Sequence, residues 1–280
     1  MKVYINGKLV DEGDAKISAL DRGFLLGEGL FETMRSYQGV IFMLDRHLDR
    51  LLNGVRTLGF EGTPRREIFA EACNSVLTAN ALGDARLRIT LTMGPVGSPE
   101  PTIVVTAFPY IGYNKALYKK GMSVITLHGF RMSNTPIHAI KSTSYLSSII
   151  ARQKASALGC DEAILINEAG NITEGSYTNI FGVKAGTIST PQISDGLLPG
   201  VTREIAIEIA MRAGYKVLQQ SIHADEIPAM DEMFLTNSLM EVMPLTEVDG
   251  YKIGDGSPGL ITLDIAQSYQ YLVHHHKHIG

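Results

Sequence analysis

KSTSYL (residues 141–146), EGSYTN (174–179) and LLPGVTR (197–203) follow one another in the second half of the chain, and their order decides how the rest is read. A lysine such as Lys141 can hold an aldehyde group as a Schiff base and afterwards move protons at the carbon whose bonds break. A carboxylate such as Glu174 can face a protonated pyridine nitrogen, keeping that ring cationic so that it drains electrons from the same carbon. The glycine turn of LLPGVTR leads into REIAIEIAMRAG, a run with helical spacing. The first free backbone N–H groups of such a helix, at Val201 and Thr202, make a seat for a phosphate. Lysine, acid and phosphate seat together are the parts of a site for pyridoxal 5'-phosphate.

Outward from this core, DRGFLLGEGLFETMR (21–35) and FMLDRHLDRL (42–51) lie upstream, and DEMFLTNSLMEVMPLTEVDG (231–250) lies downstream. With these segments the chain resembles, over nearly its whole length, the class IV aminotransferases. These are fold-type IV pyridoxal phosphate enzymes that include branched-chain and D-amino acid aminotransferases and aminodeoxychorismate lyase. The resemblance implies a two-domain α+β and α/β fold, with a smaller N-terminal α+β domain and a larger C-terminal cofactor domain on a β-barrel-like core. It implies Lys141 as the Schiff-base lysine, Glu174 as the pyridine partner, Arg50 and Ser238 as phosphate ligands, and Leu198 against the ring. For Tyr145 it implies a hydrogen bond to the cofactor's phenolic oxygen; this tyrosine follows the lysine by four positions, where the branched-chain enzymes have five. A homodimer or higher homo-oligomer is implied as well.

Plainer readings stand beside these roles. Arg50 lies among Leu48, Leu51, Leu52 and Val55, an apolar helical stripe after an Asp45 cap, so position alone makes it a surface arginine. Ser238 follows the apolar strand MFLT and can satisfy turn backbone. GEGLFE has a glycine pair but lacks the third glycine and the strand-to-helix setting of a nucleotide loop.

Composition narrows the function classes. A chain of 280 residues with 45% hydrophobic content has room for two modest domains with their own cores. A net charge of −4, with no Lys/Arg-rich run, argues against a nucleic-acid partner. No apolar segment is long enough to span a membrane, MKVYINGKLV has no signal-peptide apolar region, and the cytoplasm is the expected compartment. Cys73 and Cys160 have no metal-ligand or CxxC spacing and read as reduced packing residues. HHHKH (274–278) carries half of the eight histidines and can bind a transition metal adventitiously or be appended sequence, with no catalytic role. His47 is read as shaping its helix. His128, His138 and His223 have no companion acids at ligand spacing, so no metal is expected.

Asn6-Gly7 within VYINGKLV predicts a tight hairpin. A second strand pair turns near Gln38-Gly39, followed by helices over 45–58 and 63–81, the latter capped by Thr63-Pro64. Strands over 86–93 and 102–108 complete an N-terminal α+β domain, residues 1–109. A connector, 110–120, leads to a C-terminal domain, 121–280. There MSVITL is a strand, Lys141 precedes a helix over 144–158 ended by Gly159, and Glu174 falls between the strands DEAILIN and YTNIFGV. Helices over 201–213 and 257–271 follow.

The substrate side is read from arginines. Arg86 and Arg88 in RLRITLTM leave one face of a strand, and a planar guanidinium grips a carboxylate with two hydrogen bonds. Two arginines on a solvated face are the equal alternative. Arg88, with Arg86 or Arg35, is the expected carboxylate binder; Phe31 and Leu239 shape a side-chain pocket, and Thr33 joins them through the likeness of FETMR to the lyases and to other class IV aminotransferases. Branched-chain enzymes have tyrosines where this chain has Leu26 and Arg86. The reading is amino-group transfer between an amino acid and a 2-oxo acid, with aminodeoxychorismate lyase chemistry, releasing pyruvate and 4-aminobenzoate from the same lysine, as the alternative.

Overall fold

A computed structural model describes residues 1–60, 62 and 64–275. Asn6 and Gly7 take φ of 44° and 90°, closing the expected hairpin between β1 (Lys2–Ile5) and β2 (Lys8–Asp11). A first compact unit, Met1–Ile111 with Ile140–Ser144, also holds α1 (Arg22–Leu26), β3 (Gly29–Tyr37), β4 (Val40–Ile41), α2 (Leu44–Leu58), α3 (Arg66–Ala79), β5 (Ala85–Thr92) and β6 (Thr102–Pro109). Its strands form one sheet in the order β2-β1-β6-β5-β3-β4.

Alternation along these strands assigns the two faces of the sheet. Leu30 and Met34 of β3, Leu87, Ile89 and Leu91 of β5, and Ile103 and Val105 of β6 pack against Leu48, Leu51 and Val55 of α2 and Phe69, Cys73 and Val76 of α3. Cys73 is fully buried, as expected of a packing residue, and burial pushes its thiol up to about 12. α2 starts one residue ahead of the expected cap: Met43, with φ of 52°, is its N-cap, and Asp45 sits in the first turn where it pairs with Arg66. α3 begins at Arg66 because Arg65 is its N-cap; the Thr63 expected as cap lies outside the described residues.

The second unit comprises Gly112–Ala139 and Tyr145–His275. It holds α4 (Lys115–Lys120), β7 (Met122–His128), α5 (Leu146–Ala157), β8 (Glu162–Ile166), β9 (Ile172–Gly175), β10 (Asn179–Lys184), β11 (Thr187–Thr190), α6 (Val201–Arg212), β12 (Lys216–Gln219), β13 (Glu232–Asn237), β14 (Glu241–Val248), β15 (Tyr251–Lys252) and α7 (Leu260–His275). The segment read as a bare connector contains α4, capped by Asn114, and Tyr118 donates to the Met240 carbonyl at 2.8 Å. α5 starts two residues later than expected, and α7 replaces the helix expected over 257–271; its run of histidines passes out of the described residues after His275.

The sheet order is β12-β11-β10-β13-β14-β7-β8-β9, with β15 beside β14. β7 to β8 and β11 to β12 are parallel and are joined through helices α5 and α6, as parallel pairs require. β9 is an edge strand, yet a few residues later the chain enters β10, deep in the order, and Gly175 N–H donates to the Thr178 carbonyl at 2.6 Å. The sheet therefore curls into a half-barrel. Glu174, expected between strands, lies on β9 itself, at the place where the curl brings β9 and β10 together.

The α1 corner depends on one buried acid. Asp21 accepts from Gly23 N–H at 2.8 Å, Thr92 Oγ1 at 2.9 Å and Thr102 Oγ1 at 2.6 Å. Replacing Asp21 with Ala leaves those donors without an acceptor and should destabilise the fold by about 2–4 kcal/mol, read as a lower denaturant midpoint.

Candidate active site

In the first unit, the side of β3 away from the core carries most of the residues expected to meet substrate. Phe31, Thr33 and Arg35 lie opposite Thr90, Arg88 and Arg86 of β5 in the antiparallel register, and directly opposite residues share a face. The guanidiniums are held against aromatic rings: Arg88 lies 3.8 Å from the Phe31 ring centre, Arg35 4.4 Å from Tyr37 and 5.1 Å from Tyr110, and Arg86 5.6 Å from Phe108.

Lys141 joins this group through the backbone. β4 pairs only with Ser36 and Tyr37, which leaves the start of β3 without a strand on that side. Residues 141–143 take the place: Phe31 N–H donates to the Lys141 carbonyl at 2.8 Å and Thr143 N–H to the Gly29 carbonyl at 2.9 Å. The ammonium of Lys141 then stands 4.5 Å from the Phe31 ring centre, over the ring that Arg88 also uses.

On the other face of β3, fully buried Glu32 receives Arg50 Nε at 2.8 Å, Arg50 Nη2 at 2.7 Å and His47 Nδ1 at 2.8 Å. Burial alone would push Glu32 up, but the Arg50 charge and the hydrogen bonds from Arg50 and His47 outweigh it and leave the carboxyl at about 2. Burial lowers His47, against the pull of Glu32. Arg50 is thus no loose surface arginine; it is clamped through two nitrogens to a carboxylate on α2's side of the sheet.

In the second unit, buried Glu174 takes Arg131 Nε on Oε1 at 2.9 Å and the Leu198 N–H on Oε2 at 3.0 Å. Tyr145, just before α5, donates its hydroxyl to the Ser176 carbonyl at 2.9 Å. Burial, and the Glu174 charge after it, raise the phenol and keep it protonated. Leu198 belongs to the turn that Asn179 holds by donating to its carbonyl at 2.9 Å.

Two residues on, Gly200 caps α6, where a Cβ would collide with Asn179 Oδ1 and force that side chain to move. The helix's first backbone bond runs from Glu204 N–H to the Gly200 carbonyl, so Val201 and Thr202 come before the ladder, with N–H groups directed out of the helix end. Arg203 turns away: its guanidinium bonds Thr190, Pro191 and Gln219, and burial lowers it to about 10. Ser238 and Leu239 lie in the tight turn between β13 and β14, where Asn237 Oδ1 accepts from Leu239 N–H at 2.9 Å.

A family profile for amino-transferase class IV matches residues 29–248, spanning from the lysine's docking strand to β14. The chain belongs to the class IV aminotransferases. It is an enzyme that transfers an amino group between an amino acid and a 2-oxo acid. A Methanocaldococcus jannaschii protein provisionally named a branched-chain-amino-acid aminotransferase is 35% identical over 278 residues, with 96% of each chain covered. A D-alanine aminotransferase of Bacillus licheniformis is 29% identical over 277 residues, again with 96% of both covered. The solved structure of a branched-chain amino acid aminotransferase from T.th., with pyridoxamine 5'-phosphate, superposes with a TM-score of 0.91 at 30% identity, covering 97% of this chain and 93% of the other. All three carry aminotransferase names, so transfer rather than the lyase alternative is the reaction they support.

This class IV aminotransferase uses residues that motif reading passed over. Glu32 shares the core-facing register of Leu30 and Met34, and an acid in an apolar alternation signals a buried carboxylate in need of a cation. Arg131, in the loop after β7, has no such signal; only the fold brings it to Glu174. Asn179 is the last residue of EGSYTN, but its bond to the Leu198 carbonyl depends on the curl of the sheet. Among the described residues no cluster of His, Cys, Asp and Glu could hold a metal ion.

Glu32's folded value lies below its ordinary 4.5, so the stability it contributes is complete above that pH and is lost as pH falls from about 4.5 to about 2. Arg50→Ala, leaving the carboxylate buried and without its cation, should cost about 3–5 kcal/mol at neutral pH. Glu32→Gln should flatten the acid limb of a stability-against-pH curve, and denaturant midpoints between about pH 2 and pH 7 check both.

Proposed function

We propose that this aminotransferase works with pyridoxal 5'-phosphate and that Lys141, Glu174, Arg50, Tyr145, Leu198, Val201, Thr202 and Ser238 serve it. The observation that carries the reading is the turn over 197–203. At one end its Leu198 N–H holds the Glu174 carboxylate, and at the other α6 opens with Val201 and Thr202. An anionic acid suits a pyridinium nitrogen, and a helix N-terminus suits a phosphate. Gly200, with no room for a Cβ, keeps the helix end clear. These residues fit the group, as does a lysine held beside a ring rather than left in solvent.

Pyridoxal phosphate supplies an aldehyde that takes up the amino group and a ring that accepts the electron pair left at the substrate carbon. Lys141 would hold the aldehyde and would move the proton at the substrate's α-carbon. Its amine shares the Phe31 ring with Arg88, which keeps the proton-moving group beside the carboxylate grip. Arg131 and the Leu198 N–H aim the Glu174 carboxylate. Arg50, fixed by Glu32, presents a positive charge for phosphate. Arg88, with Arg86 or Arg35, grips the substrate carboxylate, Thr33 lies opposite Arg88, and Phe31 and Leu239 shape the space for the side chain. The related structure with pyridoxamine 5'-phosphate supports the cofactor assignment. We further propose an N-terminal domain of residues 1–109 and a C-terminal cofactor domain of 121–280, a homodimer and a cytoplasmic setting; among the described residues no helix is long and apolar enough to cross a membrane.

Lys141→Ala should lower turnover by about a hundredfold or more while cofactor still binds through its phosphate. Mixing cofactor-loaded enzyme with one amino donor and no acceptor, then measuring oxo acid formed per site, checks this. One equivalent in the wild type and none in the variant is the expected result, and normal turnover by the variant sinks the assignment.

A further inference from the structure

Glu162 is the first residue of β8, is 1% exposed, and has no part in the chemistry above. Its carboxylate is filled by hydrogen-bond donors. Oε1 accepts the Ala163 N–H at 2.8 Å, the Ser176 N–H at 3.2 Å and the Ser176 hydroxyl, and Oε2 accepts the Tyr177 N–H at 3.3 Å. The acid thus organises the turn that follows Glu174. Only a carboxylate suits the place, because an amide would set an N–H₂ group against one of these donors. Arg152, whose guanidinium lies 5.0 Å from the Tyr177 ring centre, supplies a cation nearby, and burial otherwise raises Glu162.

That turn carries the contact that locates Tyr145. The Ser176 carbonyl accepts the Tyr145 hydroxyl at 2.9 Å, and the Tyr145 and Tyr177 rings stand 5.6 Å apart. Glu162 grips the N–H groups of both Ser176 and Tyr177. A chain of hydrogen bonds and covalent links therefore runs from a sealed carboxylate to the phenol by way of Ser176, two residues after Glu174.

We infer that Glu162 is a positioning residue: by holding the Ser176–Tyr177 turn it fixes the Ser176 carbonyl and so sets where the Tyr145 phenol stands in the cofactor site. The inference rests on the proposed role of Tyr145 and Glu174 toward pyridoxal phosphate. It differs from a simple core role in that the effect of Glu162 must pass through Tyr145.

The test is a double-mutant cycle, with pyridoxal phosphate affinity read by titration calorimetry on the apoenzyme and kcat and KM measured on the cofactor-loaded enzyme. Glu162→Gln should weaken cofactor binding by about tenfold and lower kcat more than it changes KM, both read below the variant's own thermal unfolding transition. Tyr145→Phe should do likewise, and the double variant should be no worse than Tyr145→Phe, since coupled residues do not add. If Glu162→Gln folds poorly, Ser176→Ala, which deletes one donor and leaves the backbone, replaces it in the same cycle with a smaller effect. A Glu162→Gln enzyme with wild-type affinity and kcat, or an effect that multiplies with that of Tyr145→Phe, overturns the inference alone. Wild-type affinity in both Tyr145→Phe and Glu174→Gln overturns the site reading, and the inference with it.

Discussion

A carboxylate removed from water has to be met by cations or by N–H and O–H donors, and this chain buries three of them where its candidate site is built. Glu32 meets Arg50 and His47, Glu174 meets Arg131 and the Leu198 N–H, and Glu162 meets Ser176 and Tyr177. Each partner is drawn from a segment remote in sequence. Satisfying the acids therefore locks strand to helix, strand to loop and strand to turn, and the residues with chemical roles inherit their places from those locks.

The lysine depends on a different device. A β4 of two residues leaves one edge of β3 open, and backbone N–H and C=O groups left unpaired there would carry a penalty. Residues 141–143 close the edge, and in doing so bring Lys141 over Phe31. The same strand presents Arg88's aromatic seat, so the guanidinium and the amine are held by one register. A slip of one residue in β3 would send Phe31 to the core and Glu32 to the open face.

The helix terminus at α6 is specified as tightly. Asn179 holds the Leu198 carbonyl from one side and leaves no space for a side chain at Gly200. Arg203, turned into the body of the second unit, ties the first turn of the helix to β11 and β12. The N–H groups of Val201 and Thr202 are thus presented by a frame that cannot relax toward them, which is what makes a helix end useful as an anion seat.

Local rules in the sequence were enough for the Asn6-Gly7 hairpin, the alternation of β5 that puts Arg86 and Arg88 on one face, the stripe of α2, and the ordered lysine, acid and glycine turn that mark a class IV aminotransferase. The first three depend on neighbours within a few positions: a turn's φ, a strand's period of two, a helix's of about 3.6. Boundaries slipped where the chain's first choice was overruled by packing, as when Met43 rather than Asp45 capped α2. Glu174 stands out in the sequence as an acid in the EGSYTN run, but its strand, its partner Arg131, and the curl that brings β9 back to β10 depend on pairings between distant segments. That Arg50 is the cation Glu32 meets, and that Glu162 meets Ser176, is undetermined by sequence for the same reason. Which carboxylates are sealed from water, and which donors reach them, is settled only when the sheets close, because burial is a property of the packed chain and not of any one stretch of it.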